Sequence, residues 1–358
     1  MKLTKRKYML LAILLLALIA AGAVYIVSAA GSQGETTAEQ PLEADSEELP
    51  SAGFSMTDPV QPGARIAVVS KSVKGEFWKL VKKGMKDAVT DANEAYGFSG
   101  DDRISMTFEG PDSELNVENQ INTLDAIVAE NPSVICLCAG DMDSCQAQLE
   151  AARENGIPVV AFDSNLSDTS LVSCYCGTDN LAAGRLAGEK MAEAVGEIGK
   201  IAVFSLQGKT KALAERVQGF SEVLDQYPGL SIVSEICSDE VEDITQVMEE
   251  VLLIPGLAGV YCTNADIMDI YLKASKPERF SAVVIGTDAT TNQQKAITGG
   301  EELGCVSQDP YMMGYETMTM AISLTAEEQT DAPEDLLLEA CWIDAGNIDD
   351  PVNERYIY

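Results

Sequence analysis

Four apolar runs in this chain each stop at a side chain that can hydrogen-bond: IPVVAF at Asp163, LAGVYCT at Asn264, FSAVVIGT at Asp288 and LGCVS at Gln308. Two carboxylates and two carboxamides supply hydrogen-bond acceptors and donors. Histidine, the commonest general base and transition-metal ligand, is absent from the whole chain. The chemistry that remains is recognition. In open parallel sheets ligands bind outside the carboxyl ends of the strands, so these residues are expected to line a site for a small polar ligand. The plainer role, capping the helices that come next, also suits Asp163 and Asp288, while Asn264 and Gln308 could tie hinge strands together.

The elements that must position these residues alternate. RIAVVS is followed by the amphipathic FWKLVKKGMKDAVTDANEAYG, then ISMTFEG, VENQINTLDAIVAENP, SVICLCA, DSCQAQLEAARENG and IPVVAF. That is strand, helix, strand, helix, strand, helix, strand, the pattern of βαβ units in a parallel sheet. It restarts near Asp179 with a helix from about Leu181 to Val195, and runs on through KIAVFSL, AERVQGFSEVLDQYP, LSIVSEI, ITQVMEEVLLIP, LAGVYCT, ADIMDIYLKAS and SAVVIGT. Two similar α/β halves are expected, with no short repeat of the solenoid kind.

The 358 residues carry a formal charge of -33. Such a balance argues against nucleic acid, whose phosphates are met by Lys and Arg, and against an anionic membrane surface. Lys2, Lys5, Arg6 and Lys7 precede an uncharged apolar stretch from Tyr8 to about Ala30. Residues 1–30 are therefore a signal peptide or a membrane anchor. The length favours the anchor, since about 20 apolar residues span a bilayer, while Ser28, Ala29 and Ala30 offer a cleavage site. Basic residues before the span place the rest of the chain outside the cytoplasm. Residues 31–63 are too polar and acidic to bury a core and read as a disordered linker.

Nine cysteines are an odd number for an exported protein. The pairs Cys136/Cys138 and Cys174/Cys176 lie in apolar runs, where residues two apart share a strand face at a spacing ill suited to bridging. Core packing is expected, with a thiolate metal site as the alternative. The site residues call for no metal and no cofactor.

In their order along the chain, RIAVVS then Phe77-Trp78, GIPVVAFD, GTDNLAAGRLAGEKM, LQGKTKALAERVQGF, GVYCTNAD, VVIGTDA and CVSQDPYMMGYE resemble type I periplasmic solute-binding proteins of the ribose and galactose class, the sugar receptors of ABC transporters. The likeness runs from Arg65 to about Ile343. It implies an α/β fold of two doubly wound parallel-sheet lobes joined by a three-segment hinge. One lobe would comprise residues 64–178 plus 309–336 and the other 179–308 plus 337–345, leaving 346–358 as a tail.

The resemblance implies polar ligand contacts at Asp163, Arg216, Asn264, Asp288 and Gln308, and aromatic stacking on a sugar's C–H face by Phe77 or Trp78. Asp179 and Asn180 would be hinge residues. The chain departs from the ribose binders at Ser164, where they carry arginine, and at Cys138 or Ala139, where they carry asparagine. Lys71 and Lys74, near the expected mouth, would suit an acidic sugar, or else are solvated surface lysines.

The function implied is extracytoplasmic capture of a small polar ligand, foremost a sugar or related polyol, between two closing lobes, and delivery to an ABC permease. The alternative is a membrane-anchored sensory receptor signalling to a chemoreceptor or histidine kinase. An enzyme is not expected, for the chain has no GxSxG elbow and no Walker A loop. Regulators of related fold carry a DNA-binding helix pair where this chain has its apolar segment.

Overall fold

The computed structural model describes residues 59–275, 281–326 and 333–358. The expected leader and all but residues 59–63 of the expected linker lie outside the described residues. Those last linker residues belong to the folded body: Val60 is buried, and Gly63 donates its N–H to the Asp102 carbonyl. Among the described residues, no helix is long and apolar enough to cross a membrane.

In the first half β1 (Arg65–Val69), α1 (Glu76–Tyr96), β2 (Ser105–Glu109), α2 (Val117–Glu130), β3 (Val134–Leu137), α3 (Gln146–Glu154), β4 (Val159–Phe162) and β5 (Cys174–Thr178) alternate. The second half repeats this with α4 (Asn180–Val195), β6 (Gly199–Ser205), α5 (Lys211–Leu224), β7 (Leu230–Cys237), α6 (Ile244–Val251), β8 (Leu257–Cys262), α7 (Ala265–Ala274), β9 (Val283–Thr287), α8 (Thr291–Gly299) and β10 (Gly304–Ser307). Then come α9 (Pro310–Ser323), β11 (Leu336–Leu338) and β12 (Cys341–Asp344).

The strands form two sheets, β11-β5-β4-β3-β1-β2 and β12-β10-β9-β8-β6-β7. Both carry the doubly wound order whose switch point lies between the first and third strands. Every pairing is parallel except β10 with β12. Inner strands such as VICL and VVAF are buried at every residue because helices cover both faces, whereas the edge strand SMTFE alternates between half-buried and exposed.

The chain passes between the sheets three times: from β5 into the second half, from β10 into α9, and from β11 to β12. Asp309 caps α9, accepting the N–H of Met312, with Pro310 in the first turn. Although α9 comes after a strand of the second sheet, it packs on α1 of the first lobe. Tyr311 and Tyr315 donate to Asp87 and Asp91 there.

Glycine sets both of the closest helix pairings. A Cβ on Gly84 or Gly314 would strike the opposite backbone where α1 crosses α9. Gly184 and Gly219 do the same where α4 crosses α5. All nine cysteines are described and unbridged, and seven are buried, consistent with their apolar surroundings.

The closing residues, expected as a tail, pack against the second lobe through a 3-10 turn over Pro351–Tyr356, with Tyr356 and Tyr358 buried. Ser307 Oγ donates to the Tyr356 carbonyl at 2.6 Å, so an isolated tail is replaced by a segment built into the body.

Candidate functional site

Between the two sheets lies a cavity of about 290 Å³, lined by residues of both lobes. Phe77, Trp78, Asp163, Arg216, Asn264, Asp288 and Gln308 all line it. Asp163 and Asp288 hold equivalent posts: each comes directly after the fourth strand of its lobe, and each donates its N–H to the neighbouring strand, to Cys176 O and Val306 O. Both have left-handed backbones, φ 55° and 76°. Aspartate tolerates that region better than most residues, but it still carries strain, which folds concentrate at functional sites. The conformation turns each carboxylate off its strand end toward the cleft rather than onto the next helix.

On the first lobe's wall Asp163 is buried and does not stand alone. Lys71, two residues past β1, places Nζ 2.8 Å from Asp163 Oδ2 and 3.7 Å from Glu114 Oε2. Burial alone would lower the Lys71 pKa, but the Asp163 and Glu114 carboxylates outweigh it and hold it above its ordinary value. Glu114 is pushed up by burial despite Lys71. The Cys138 thiol reaches Asp163 Oδ2 at 3.1 Å, and burial beside that carboxylate drives its pKa well up, so it remains a thiol.

The Trp78 indole N–H donates to Glu114 at 3.0 Å, and its ring meets Phe162 edge-on in the core. Lys71 Nζ lies over the Trp78 ring, 5.7 Å from its centre. Trp78 is thus both core and cleft wall. Phe77, only partly buried, is the more open of the two rings.

On the second lobe's wall α5 carries Arg216, only 2% exposed. Its Nε donates to Asn180 Oδ1 at 2.9 Å and one terminal nitrogen to the Thr263 carbonyl at 2.8 Å. Two anchors fix the guanidinium plane and leave further N–H groups for the cleft. Asn180, expected as a hinge residue, is therefore what orients Arg216, while Asp179 caps α4 through Ala182 N–H.

Asn264 caps α7, its Oδ1 accepting the Ile267 N–H, and also lines the cleft; the bond it makes is to that helix rather than to a hinge strand. Gln308 ties the crossing strands: Oε1 accepts from Thr178 and Nε2 donates to Asp288 Oδ1, each at 2.8 Å. Asp288 Oδ2 accepts from Ala265 N–H, which clamps β9 to the start of α7.

The lobes stand closed. Gln207 Nε2 donates to the Glu114 carbonyl at 2.8 Å, Thr210 Oγ1 to the Gly140 carbonyl at 3.0 Å, and Thr291 through N–H and Oγ1 to Glu76. Such a chamber, rich in fixed donors and acceptors, can hold a polyhydroxylated molecule, because each hydroxyl both gives and takes a hydrogen bond. Among the described residues, no group of three or more His, Cys, Asp or Glu side chains is placed to hold a metal.

Sequence reasoning placed Lys71 only near the mouth, whereas it is buried inside; its position just past a strand end was the available signal. Glu114 and Tyr358 were missed. Glu114 sits in a polar loop before α2 with no motif, and Tyr358 comes from the segment read as a tail.

The periplasmic binding protein domain model matches residues 66–329. The ribose import binding protein of Escherichia coli K12 is 24% identical over 279 residues, 76% of this chain and 89% of that protein. The D-apiose import binding protein of Actinobacillus succinogenes is 23% identical over 288 residues, 79% of this chain and 88% of that protein. Among solved structures, an ABC transporter solute-binding protein from Agrobacterium vitis with bound D-fucose superposes with a TM-score of 0.74 at 28% identity, covering 82% of this chain and all of that one. The domain match spans well over half of the chain, including every residue that lines the cleft, and on that ground the chain belongs to the periplasmic binding protein domain family.

Proposed function

We propose that the protein is an extracytoplasmic receptor that closes its two lobes around a sugar or related polyol and hands it to an ABC permease. The observation that carries this reading is the gathering of Asp163, Arg216, Asn264, Asp288, Gln308 and an open Phe77 ring, from both lobes, in one closed chamber. Ligand contacts divided between lobes make binding and closure one equilibrium, so the closed shape reports occupancy to a partner. Asp163, Arg216 and Asn264 are assigned as hydrogen-bonding contacts, Phe77 as the stacking ring, Trp78 as its support, and Asp288 and Gln308 as contacts that also latch the hinge.

Import proteins for ribose and apiose among the relatives, and the sugar held by the structural neighbour, support a sugar cargo and delivery over sensing. The apolar stretch from Tyr8 to Ala30 behind four basic residues supports attachment to the outer face of the cytoplasmic membrane. We assign residues 64–178 plus 309–338 to one lobe and 179–308 plus 341–345 to the other; the sheet membership of β5, β6, β10 and β12 supports these limits, and Leu337 and Leu338, expected in the second lobe, pair with β5 in the first sheet.

The test is the melting temperature of the purified protein against pentoses, hexoses, inositols, sugar acids and short oligosaccharides. A ligand at 100 times its Kd adds about 2.7 kcal/mol of stability, a readily measured shift. A hit abolished by Asp163→Ala or Arg216→Ala supports the reading, and a flat panel rejects it.

A further inference from the structure

We infer that Lys71 is a ligand-contacting, specificity-determining residue, and that with it the cleft takes an uncharged polyol in preference to a sugar acid. This deepens, and rests on, the sugar-receptor reading. Lys71 is only 5% exposed and lines the cavity. Of its three donors one is taken by Asp163 Oδ2 at 2.8 Å; Glu114 at 3.7 Å is too far for a hydrogen bond. Among the described residues no other protein acceptor engages the ammonium. Asp163 Oδ1 and Glu114 Oε2 likewise accept no protein hydrogen bond, so this wall offers open donors beside open acceptors. A hydroxyl satisfies both at once, whereas a carboxylate satisfies only the donors.

The surrounding charge makes the same choice. Three cations and seven carboxylates line the cleft. Lys71 is paired with Asp163 and Glu114, and Lys74 with Asp112 at the exposed rim. Among the described residues, Arg216 alone of these cations has no carboxylate at ion-pair distance, while Glu76, Asp266, Asp269 and Asp288 have no cation there. An anionic ligand would gain one open guanidinium and face four uncompensated carboxylates. The ammonium also covers Trp78, which leaves Phe77 as the ring against which a sugar face can lie. The expectation that Lys71 serves an acidic sugar is thereby reversed: its charge is already spent on the protein's own carboxylates.

The experiment compares ligand affinities by calorimetry for wild type, Lys71→Met, Asp163→Asn and the double variant, on matched pairs of a neutral hexose and its uronic acid. The double variant removes the Lys71–Asp163 ion pair as a unit, and Glu114, whose pKa burial already raises, can take up a proton once Lys71 no longer opposes that rise. A lost charge-assisted hydrogen bond predicts that Lys71→Met weakens neutral-sugar binding about tenfold or more, and still by about fivefold in the Asp163→Asn background. Wild type is expected to bind the neutral sugar at least about tenfold more tightly than its uronate. If Lys71→Met costs nothing in the Asp163→Asn background, Lys71 only neutralises Asp163 and the inference is overturned while the receptor reading stands. A uronate bound as tightly as its neutral partner overturns it equally. If no sugar of either kind binds wild type, the receptor reading fails and the inference with it.

Discussion

Tyr358 donates its phenolic O–H to Oδ1 of Asp288 at 2.8 Å, the same oxygen that accepts from Gln308. The ring of Tyr358 also meets Phe77 of the opposite lobe edge-on, 6.1 Å between centres. The end of the described chain thus holds a cleft carboxylate in place and touches the facing wall. Tyr358→Phe keeps the ring contact and deletes one hydrogen bond to a charged group, so it should lower unfolding free energy by about 1.5 to 3 kcal/mol, read by chemical denaturation. An unchanged midpoint would mean that Gln308 and Ala265 suffice to hold Asp288.

Arg216→Lys should separate charge from shape. A lysine cannot hold Asn180 and the Thr263 carbonyl together in one plane while still facing the cleft. Ligand affinity is expected to fall about 100-fold, near 2.7 kcal/mol, in calorimetric titration. Retained affinity would show that Arg216 serves only to join α5 to the end of β8.

The helix crossings predict a different separation. A Cβ on Gly184 would land on the Arg216 carbonyl, and one on Gly314 on the Val81 carbonyl. Each alanine substitution forces two helices apart and should cost about 1 to 3 kcal/mol. Only Gly184→Ala displaces the helix turn that carries Arg216, so only it should also weaken ligand binding. Equal binding losses in both variants would argue that the two lobes respond as a unit.

Glu302 gives a pH signature away from the cleft. It is 2% exposed, and neither carboxylate oxygen has a hydrogen-bond partner of normal geometry. Burial pushes its pKa well above 4.5, and the nearby Gly286 N–H opposes this only in part. The folded state therefore holds the proton more tightly than the unfolded chain. The stabilising contribution is complete below the ordinary carboxylate value and is lost as pH rises toward the folded pKa. Glu302→Gln should match wild type near about pH 4 and exceed it increasingly toward about pH 8 in denaturation midpoints. Parallel curves for the two proteins would place the titration elsewhere.

Much of the site was legible because its signals are local. A strand buried on both faces must be a continuous apolar run, and the polar residue that ends it sits at the sheet's carboxyl edge; IPVVAF to Asp163 and FSAVVIGT to Asp288 needed nothing more. Arg216 and the Phe77-Trp78 pair came instead from the ordered likeness to sugar receptors, since an arginine within a helix has no local mark that tells a ligand clamp from a surface charge.

The two βαβ halves, the strand-end residues and the absence of histidine chemistry all follow from short-range periodicity and composition. Tertiary structure alone decided what those residues are joined to. Lys71 is spent on Asp163, 92 positions away by number, Tyr358 returns to Asp288 across 70 residues, and Thr178 reaches Gln308 across 130. No window of sequence contains both partners of such a contact. Which donor meets which carboxylate is settled only when packing of the two sheets brings the loops together and burial makes an unpaired charge too costly to leave.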